Sequence, residues 1–143
     1  MTVRSELTVR LSAFAAAYSN NTVQPYVTKL AVSYENIPFV KPINNEPFLE
    51  MFIVPAHTKD VTVDGTRQRE NGFMQVNIWS KAGVGTAQGE AIAYALRAAF
   101  PVLPKQGTVS VEATPSIKPA ILDGAGYRII PVIISYRQEL ASA

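Results

Sequence analysis

The stretch with the clearest chemical potential is SKAGVGTAQGEA, residues 80–91. It lies between a strand-like run and a helical pattern, which is the context of a phosphate-binding loop. A dinucleotide loop needs Gly-x-Gly-x-x-Gly, but here Gln88 replaces the third glycine and Gly89 comes one residue late. The preceding strand is half polar, unlike the apolar strands of a covered parallel sheet. We therefore interpret this stretch as a strand-to-helix turn with Thr86 as the helix N-cap.

The remaining reactive side chains do not form a recognisable catalytic or metal-binding set. His57 is the only histidine and there is no cysteine, so a compact metal site has no pair of strong ligands. Glu35, Glu46 and Glu50 could pair as acid and base, but their spacing does not favour it over solvated charge. The sequence therefore predicts a non-enzymatic protein with no catalytic residue, cofactor or metal.

The composition is that of one small domain with little charge. The chain has 143 residues, of which 17% are charged, against about 25% in an average soluble domain. Low charge on a small body is common where subunits contact one another. The net charge is only +2, because basic and acidic residues nearly balance, so the composition does not predict nucleic-acid binding. No apolar segment is long enough to cross a membrane, and we expect a soluble, cytosolic chain without membrane partners.

Hydrophobic periodicity predicts an α+β fold for a single domain over residues 1–143. Leu7, Leu11, Phe14 and Tyr18 recur at helical spacing, and a second helix is predicted from 87 to 100. Between and after the helices, alternating segments predict strands joined by short turns. The expected result is a mixed, largely antiparallel sheet with two helices packed on it. Pro131 lies in the last strand, which predicts an edge strand or an irregular stretch there.

A charged arm is predicted around the Asp64-Gly65 turn, where Lys59, Arg67 and Arg69 flank a hairpin. One interpretation is ordinary surface charge. The other is an arm that reaches a partner subunit or lies near passing DNA. Acidic residues are interspersed with the three cations, and such a mixed patch favours protein contacts over phosphate binding.

Four longer stretches occur in a fixed order along the chain. They are YENIPFVKP (34–42), RQRENGFMQVNIW (67–79), KAGVGTAQGEAIAYALRAAFP (81–101) and PSIKPAILDGAGYRIIPVIISYR (115–137). Together with a leading amphipathic helix, this order resembles the tail terminator proteins of long, non-contractile-tailed (siphovirus) bacteriophages and prophages. The resemblance lies in the whole order, because no single stretch is chemically diagnostic.

The resemblance implies a structural subunit that assembles as a homohexameric ring on the head-proximal end of the tail tube. Such a ring stops tube polymerisation and then presents a docking surface to the head. Its implied partners are copies of itself, the tail tube protein and a head–tail connector or neck protein, and DNA passes through its lumen without sequence-specific binding. The implied location is the virion tail, after assembly in the cytoplasm of the bacterial host.

Two other classes of function stay open on the sequence. A neck or head–tail joining (tail completion) protein would share the same structural, non-enzymatic profile. A small nucleotide- or ligand-binding α+β domain would require the glycine turn to hold phosphate, or a well-formed apolar pocket.

Two loops are the predicted interfaces, because each has apolar residues where exposure is expected. The first, residues 36–47, begins at Asn36, and the second covers residues 115–127. The alternative is that both loops fold back over an open end of the core. The candidate apolar contacts are Ile37, Phe39, Val40, Ile117, Ile121 and Leu122.

Overall fold

Two helices and seven strands make up the described part of the chain, which in this computed structural model is residues 3–19, 29–42, 46–60, 64, 67–102 and 109–141. This confirms the α+β class. The helices are α1 (Val3–Ala17) and α2 (Ala87–Ala99). In chain order the strands are β1 (Ala31–Ser33), β2 (Phe48–Asp60), β3 (Arg67–Lys81), β4 (Val109–Val111), β5 (Ser116–Ile117), β6 (Ile121–Leu122) and β7 (Tyr127–Ala141).

The strands form one mixed sheet in the order β1-β2-β3-β7-β4, and β5 and β6 pair with β7 as well. Only the β1–β2 pair is parallel, so the prediction of a largely antiparallel sheet is confirmed. Strands β2 and β3 pair as the expected hairpin out to Asp60 and Gln68. Gly65, in the predicted turn, lies outside the described residues.

Both helices pack on the same face of the sheet, where they enclose one hydrophobic core. The alternation predicted for the three long strands places every second side chain in this core. Fully burying one such Leu or Ile side chain stabilises the fold by about 1.5–3 kcal/mol, so this face holds the two layers together. The buried residues of the long strands are Leu49, Met51, Ile53, Met74, Val76, Ile78, Ile130, Val132 and Ile134.

Pro131 does not mark an edge strand, and that alternative of the sequence prediction was wrong. Strand β7 is central, with β3 on one side and β4, β5 and β6 on the other. The Pro131 carbonyl accepts the N–H of Lys118 at 2.8 Å, and the N–H and C=O of one antiparallel residue point to the same side. The missing N–H of Pro131 therefore faces residues 118–120, where β5 has ended and β6 has not begun. The irregular stretch lies in the neighbour of β7.

Candidate assembly interface

Three loops meet at one end of the sheet, which we call the loop end (residues 39–42, 82–86 and 121–126). The N–H of Ala82 donates to the carbonyl of Gly126 at 2.9 Å, which joins the glycine turn to the loop before β7. Lys41 lies close to the start of β7, because its ammonium is 5.6 Å from the centre of the Tyr127 ring. The two loops predicted as interfaces thus meet here, beside the glycine turn.

A cluster of aromatic rings on the sheet packs against the loop end. The Phe48 and Trp79 rings stack at 5.2 Å, and the Tyr127 ring meets both edge-on at 5.4–5.5 Å. Phe39 packs on Phe48 at 5.1 Å, and the Lys41 ammonium lies 4.8 Å above the Trp79 ring. Pairs of this kind are worth about 0.5–1.5 kcal/mol each beyond the area they bury. The loop is therefore held on the sheet by its own side chains.

The turn before β7 is fixed by the carboxylate of Asp123. Its Oδ1 accepts the backbone N–H groups of Ala125 at 2.8 Å and Tyr127 at 2.9 Å. These hydrogen bonds, the Ala125 bond first, hold the pKa of Asp123 below its ordinary value, and the nearby Lys41 charge acts in the same direction. Gly124 has φ of 80°, in the left-handed region that glycine tolerates. The residues just before this turn are consequently presented in a defined position.

Exposed apolar side chains are concentrated on this rigid base. Val40 is 90% exposed, Leu122 is 70% exposed and Ile121 is 58% exposed. Val84, in the glycine turn, is exposed too. Clustered apolar exposure of this kind marks contact sites, and preformed loops lose less conformational entropy when they dock.

The other predicted interface residues lie elsewhere or are partly covered. Ile37 is exposed but lines a cavity of about 340 Å³ beside α1, together with Tyr34 and Met51. Asn36 has φ of 58° and forms the turn that leads there. Phe39 is half-buried on Phe48, as the fold-back interpretation expects for that residue. Ile117 is half-buried and packs against the core.

The glycine turn is open and belongs to an antiparallel arrangement. Gly83 and Gly85 have φ of 82° and 90°, and a Cβ built on either would meet no atom within 4 Å. Thr86 is the N-cap residue, as predicted, but its side chain makes no capping hydrogen bond. The strand before the turn, β3, pairs antiparallel with both neighbours. A dinucleotide site needs a parallel βαβ unit at this point, so the topology supports the turn interpretation.

The opposite face of the sheet, which neither helix covers, was not singled out from the sequence. We call it the open face; it comprises residues 48, 50, 52 and 54 of β2, 73, 75, 77 and 79 of β3, and 129, 131, 133 and 135 of β7. Glu50 is the one charged residue among these twelve positions, and Arg137 follows on the same face two residues beyond Ser135. Antiparallel sheets normally direct polar side chains to solvent, whereas this face presents Phe52, Val54, Phe73 and Ile133. Apolar residues on both faces of consecutive strands were the signal that could have revealed it.

Glu50 is tied into a hydrogen-bond network on the open face. Its Oε1 accepts hydrogen bonds from Nδ2 of Asn77 at 3.0 Å and from Nε1 of Trp79 at 3.3 Å. Gln75 Nε2 in turn donates to Asn77 Oδ1 at 2.9 Å. Glu35 has different partners, the Arg4 guanidinium and the Ile53 N–H. The two carboxylates are thus engaged separately.

The predicted arm lies at the far end of the long strands. In the register, Lys59 is directly across from Arg69, and Arg69 is directly across from Glu139. Arg67 lies across from Ala141. This row therefore places two basic residues next to each other, followed by an acidic one. Among the residues that the structure describes, no three His, Cys, Asp or Glu side chains cluster as metal ligands, and no helix is long and apolar enough to span a membrane.

The α+β fold thus combines an exposed apolar loop end with a sheet face that neither helix covers. The family model for phage tail terminator proteins matches residues 2–136, and the chain belongs to this family. Membership gives it a structural role in completing the phage tail and a place in the virion tail.

Solved structures support the fold. One, of a protein without a descriptive name, is 26% identical, with a TM-score of 0.70, and the match covers 99% of this chain and 96% of that one. No curated protein shows significant similarity to the chain.

Proposed function

We propose that the chain forms a homohexameric ring that caps the head-proximal end of the tail tube. The ring stops tube polymerisation and then offers the docking surface for the neck of the head. The observation that carries the proposal is the loop end, where exposed apolar side chains stand on a rigid aromatic base in a member of the tail terminator family.

A closed ring requires two different patches on each subunit that fit one another. The loop end and the open face are two such patches, both poor in charge. Permanent interfaces between copies are more apolar than transient ones. These two patches therefore suit contacts between copies, and the loop end also suits a contact with the last tube ring.

The two ends of the subunit differ in chemistry, as a cap requires. Strand β2 runs for 13 residues from the loop end to the arm, a distance of about 40 Å at the usual strand rise. The loop end is apolar, whereas the arm carries the cations Lys59, Arg67 and Arg69 with acidic residues such as Asp60 and Glu70 next to them in sequence. Under this proposal the arm meets the polar neck partner or lines the lumen through which DNA passes. An end unlike the tube surface would not accept another tube ring.

The proposal is tested by polymerising purified tube protein with and without this chain and measuring tube lengths by electron microscopy. We expect short, capped tubes at substoichiometric amounts of the chain. Leu122→Lys should lose this effect, and Val9→Lys, at a site on α1 that is 58% exposed, should keep it. Unchanged tube length with wild-type chain would contradict capping. If the chain were then still needed to attach heads to tails, the head–tail joining role would replace the capping role.

A further inference from the structure

Among the strands that the structure describes, only the short strand β1 pairs with the outer edge of β2. β1 pairs only with residues 48–50, whereas β2 continues to Asp60. The unpaired backbone groups of an edge strand are a template on which a strand from another molecule can add. How this edge is closed therefore affects which assemblies the chain can form.

The Ile53 N–H on this edge is taken by a side chain. It donates to Oε1 of Glu35, a residue that lies two positions past the end of β1. The carboxylate thus stands where a longer β1 would have offered its backbone carbonyl. Nη1 of Arg4, on α1, donates to the same oxygen at 3.1 Å and holds it in place.

Pro55 closes the next outward position on the same edge. Residues two apart in a strand direct their backbone groups to the same side, so Pro55 follows Ile53 in this direction. Proline has no N–H to donate and is typical of protected edges. A register shift follows directly, between Pro55 and His57, and bulges of this kind also disfavour edge pairing.

We propose that Glu35 and Pro55 block the β2 edge against strand addition by a second copy of this chain. Past the end of β1, the Ile53 N–H is occupied by Glu35, and Pro55 has none to give. Copies must then meet through side-chain surfaces, which can form a closed ring, and not through backbone pairing, which can continue indefinitely. The block is a property of the subunit alone and does not depend on the proposed capping function.

The test uses the full chain with Glu35→Ala, Glu35→Gln, Pro55→Val and the Glu35→Ala/Pro55→Val double variant. Glutamine keeps an oxygen that can accept the Ile53 N–H, so it is the matched control. Two measurements are made: amide hydrogen exchange at Ile53, and size distribution by sedimentation velocity over a concentration series.

We expect Glu35→Ala to speed exchange at Ile53 by about tenfold or more, since a hydrogen bond to a charged group is lost. The double variant should form larger species as concentration rises, and exchange at residues 51–55 should slow again in them. Glu35→Gln should keep the wild-type size distribution. A folded double variant with fast exchange at Ile53 and wild-type sizes would overturn the proposal.

Pro55→Val alone keeps the test decisive if the Glu35→Ala variants do not fold. Pro55 is exposed, so the change restores an N–H without disturbing the core. Larger species with slowed exchange at residues 51–55 would support the block. Wild-type sizes at every concentration would overturn it.

Discussion

The Lys41 ammonium lies 4.8 Å above the centre of the Trp79 ring and so joins an apolar surface loop to the sheet. Trp79 also stacks on Phe48 and donates its indole N–H to Glu50. Trp79 therefore contacts both strand β2 and the loop. The position of Val40, next to Lys41 in sequence, depends on this contact.

Lys41→Gln should loosen the loop without unfolding the subunit. An exposed cation–π contact is worth about 0.5–1 kcal/mol, so we expect a loss of that size in the free energy of unfolding. Trp79→Leu should cost about 2–4 kcal/mol, because it also removes ring stacking and leaves a cavity. Urea denaturation measures both. Equal losses for the two variants would show that Trp79 does not anchor the stack.

Gly72→Ala should destabilise the sheet by about 1–3 kcal/mol, as overpacking does. A Cβ at residue 72 would lie 2.5 Å from the carbonyl oxygen of Val54 and 2.6 Å from the hydroxyl of Tyr136. Tyr136→Phe in the same chain should restore only part of the loss, since the Val54 contact remains. Thermal unfolding of the single and double variants measures this, and an unchanged midpoint for Gly72→Ala would contradict the packing described.

Leu122→Lys and Val40→Lys should abolish ring formation and leave the monomer folded. Both side chains are exposed in the subunit, so a charge there costs the monomer little but would be buried unpaired in a contact. Size-exclusion chromatography with light scattering gives the oligomeric state, and circular dichroism the fold. Val9→Lys is the control. If all three variants formed rings, the loop end would not be part of the interface between subunits.

Acid should weaken the fold partly through Glu35. The Ile53 hydrogen bond first, and then Arg4, hold the pKa of Glu35 below its ordinary value of 4.5. A carboxyl with a lowered pKa stabilises the fold fully above its unfolded pKa, and that contribution is lost as pH falls through the folded pKa. At pH values below about 4.5, the free energy of unfolding should therefore fall less steeply with decreasing pH in Glu35→Gln than in wild type. Parallel pH profiles would contradict this.

The sequence predicted the layers of the fold but not the order of its strands. Local alternation identified residues such as Met51, Val76 and Val132, because burial on one face leaves a period of two. Pairing order depends on distant contacts, so Pro131 misled the prediction for β7. Strands β5 and β6 have two residues each and exist only through pairing with β7, so no local pattern revealed them.

The candidate site was predicted only in part. Apolar residues in loops marked Val40, Ile121 and Leu122, whose exposure the structure confirms. The same criterion could not separate them from Phe39, because the contact of Phe39 with Phe48 joins a loop residue to a strand residue and is not visible in the local pattern. Glu6 lies beside the apolar stripe of α1, yet it is buried and accepts the Val109 N–H at 3.0 Å. Its role depends on a residue that is far away in sequence.

The central claim, that this chain caps the tail tube, is tested most directly by the length distribution of tails in a phage that lacks its gene. Electron microscopy of lysates gives this distribution. We predict overlong tails of variable length without heads, which a plasmid copy of the wild-type gene should correct and a Leu122→Lys copy should not. Tails of normal length, whether free or attached to heads, would contradict the claim.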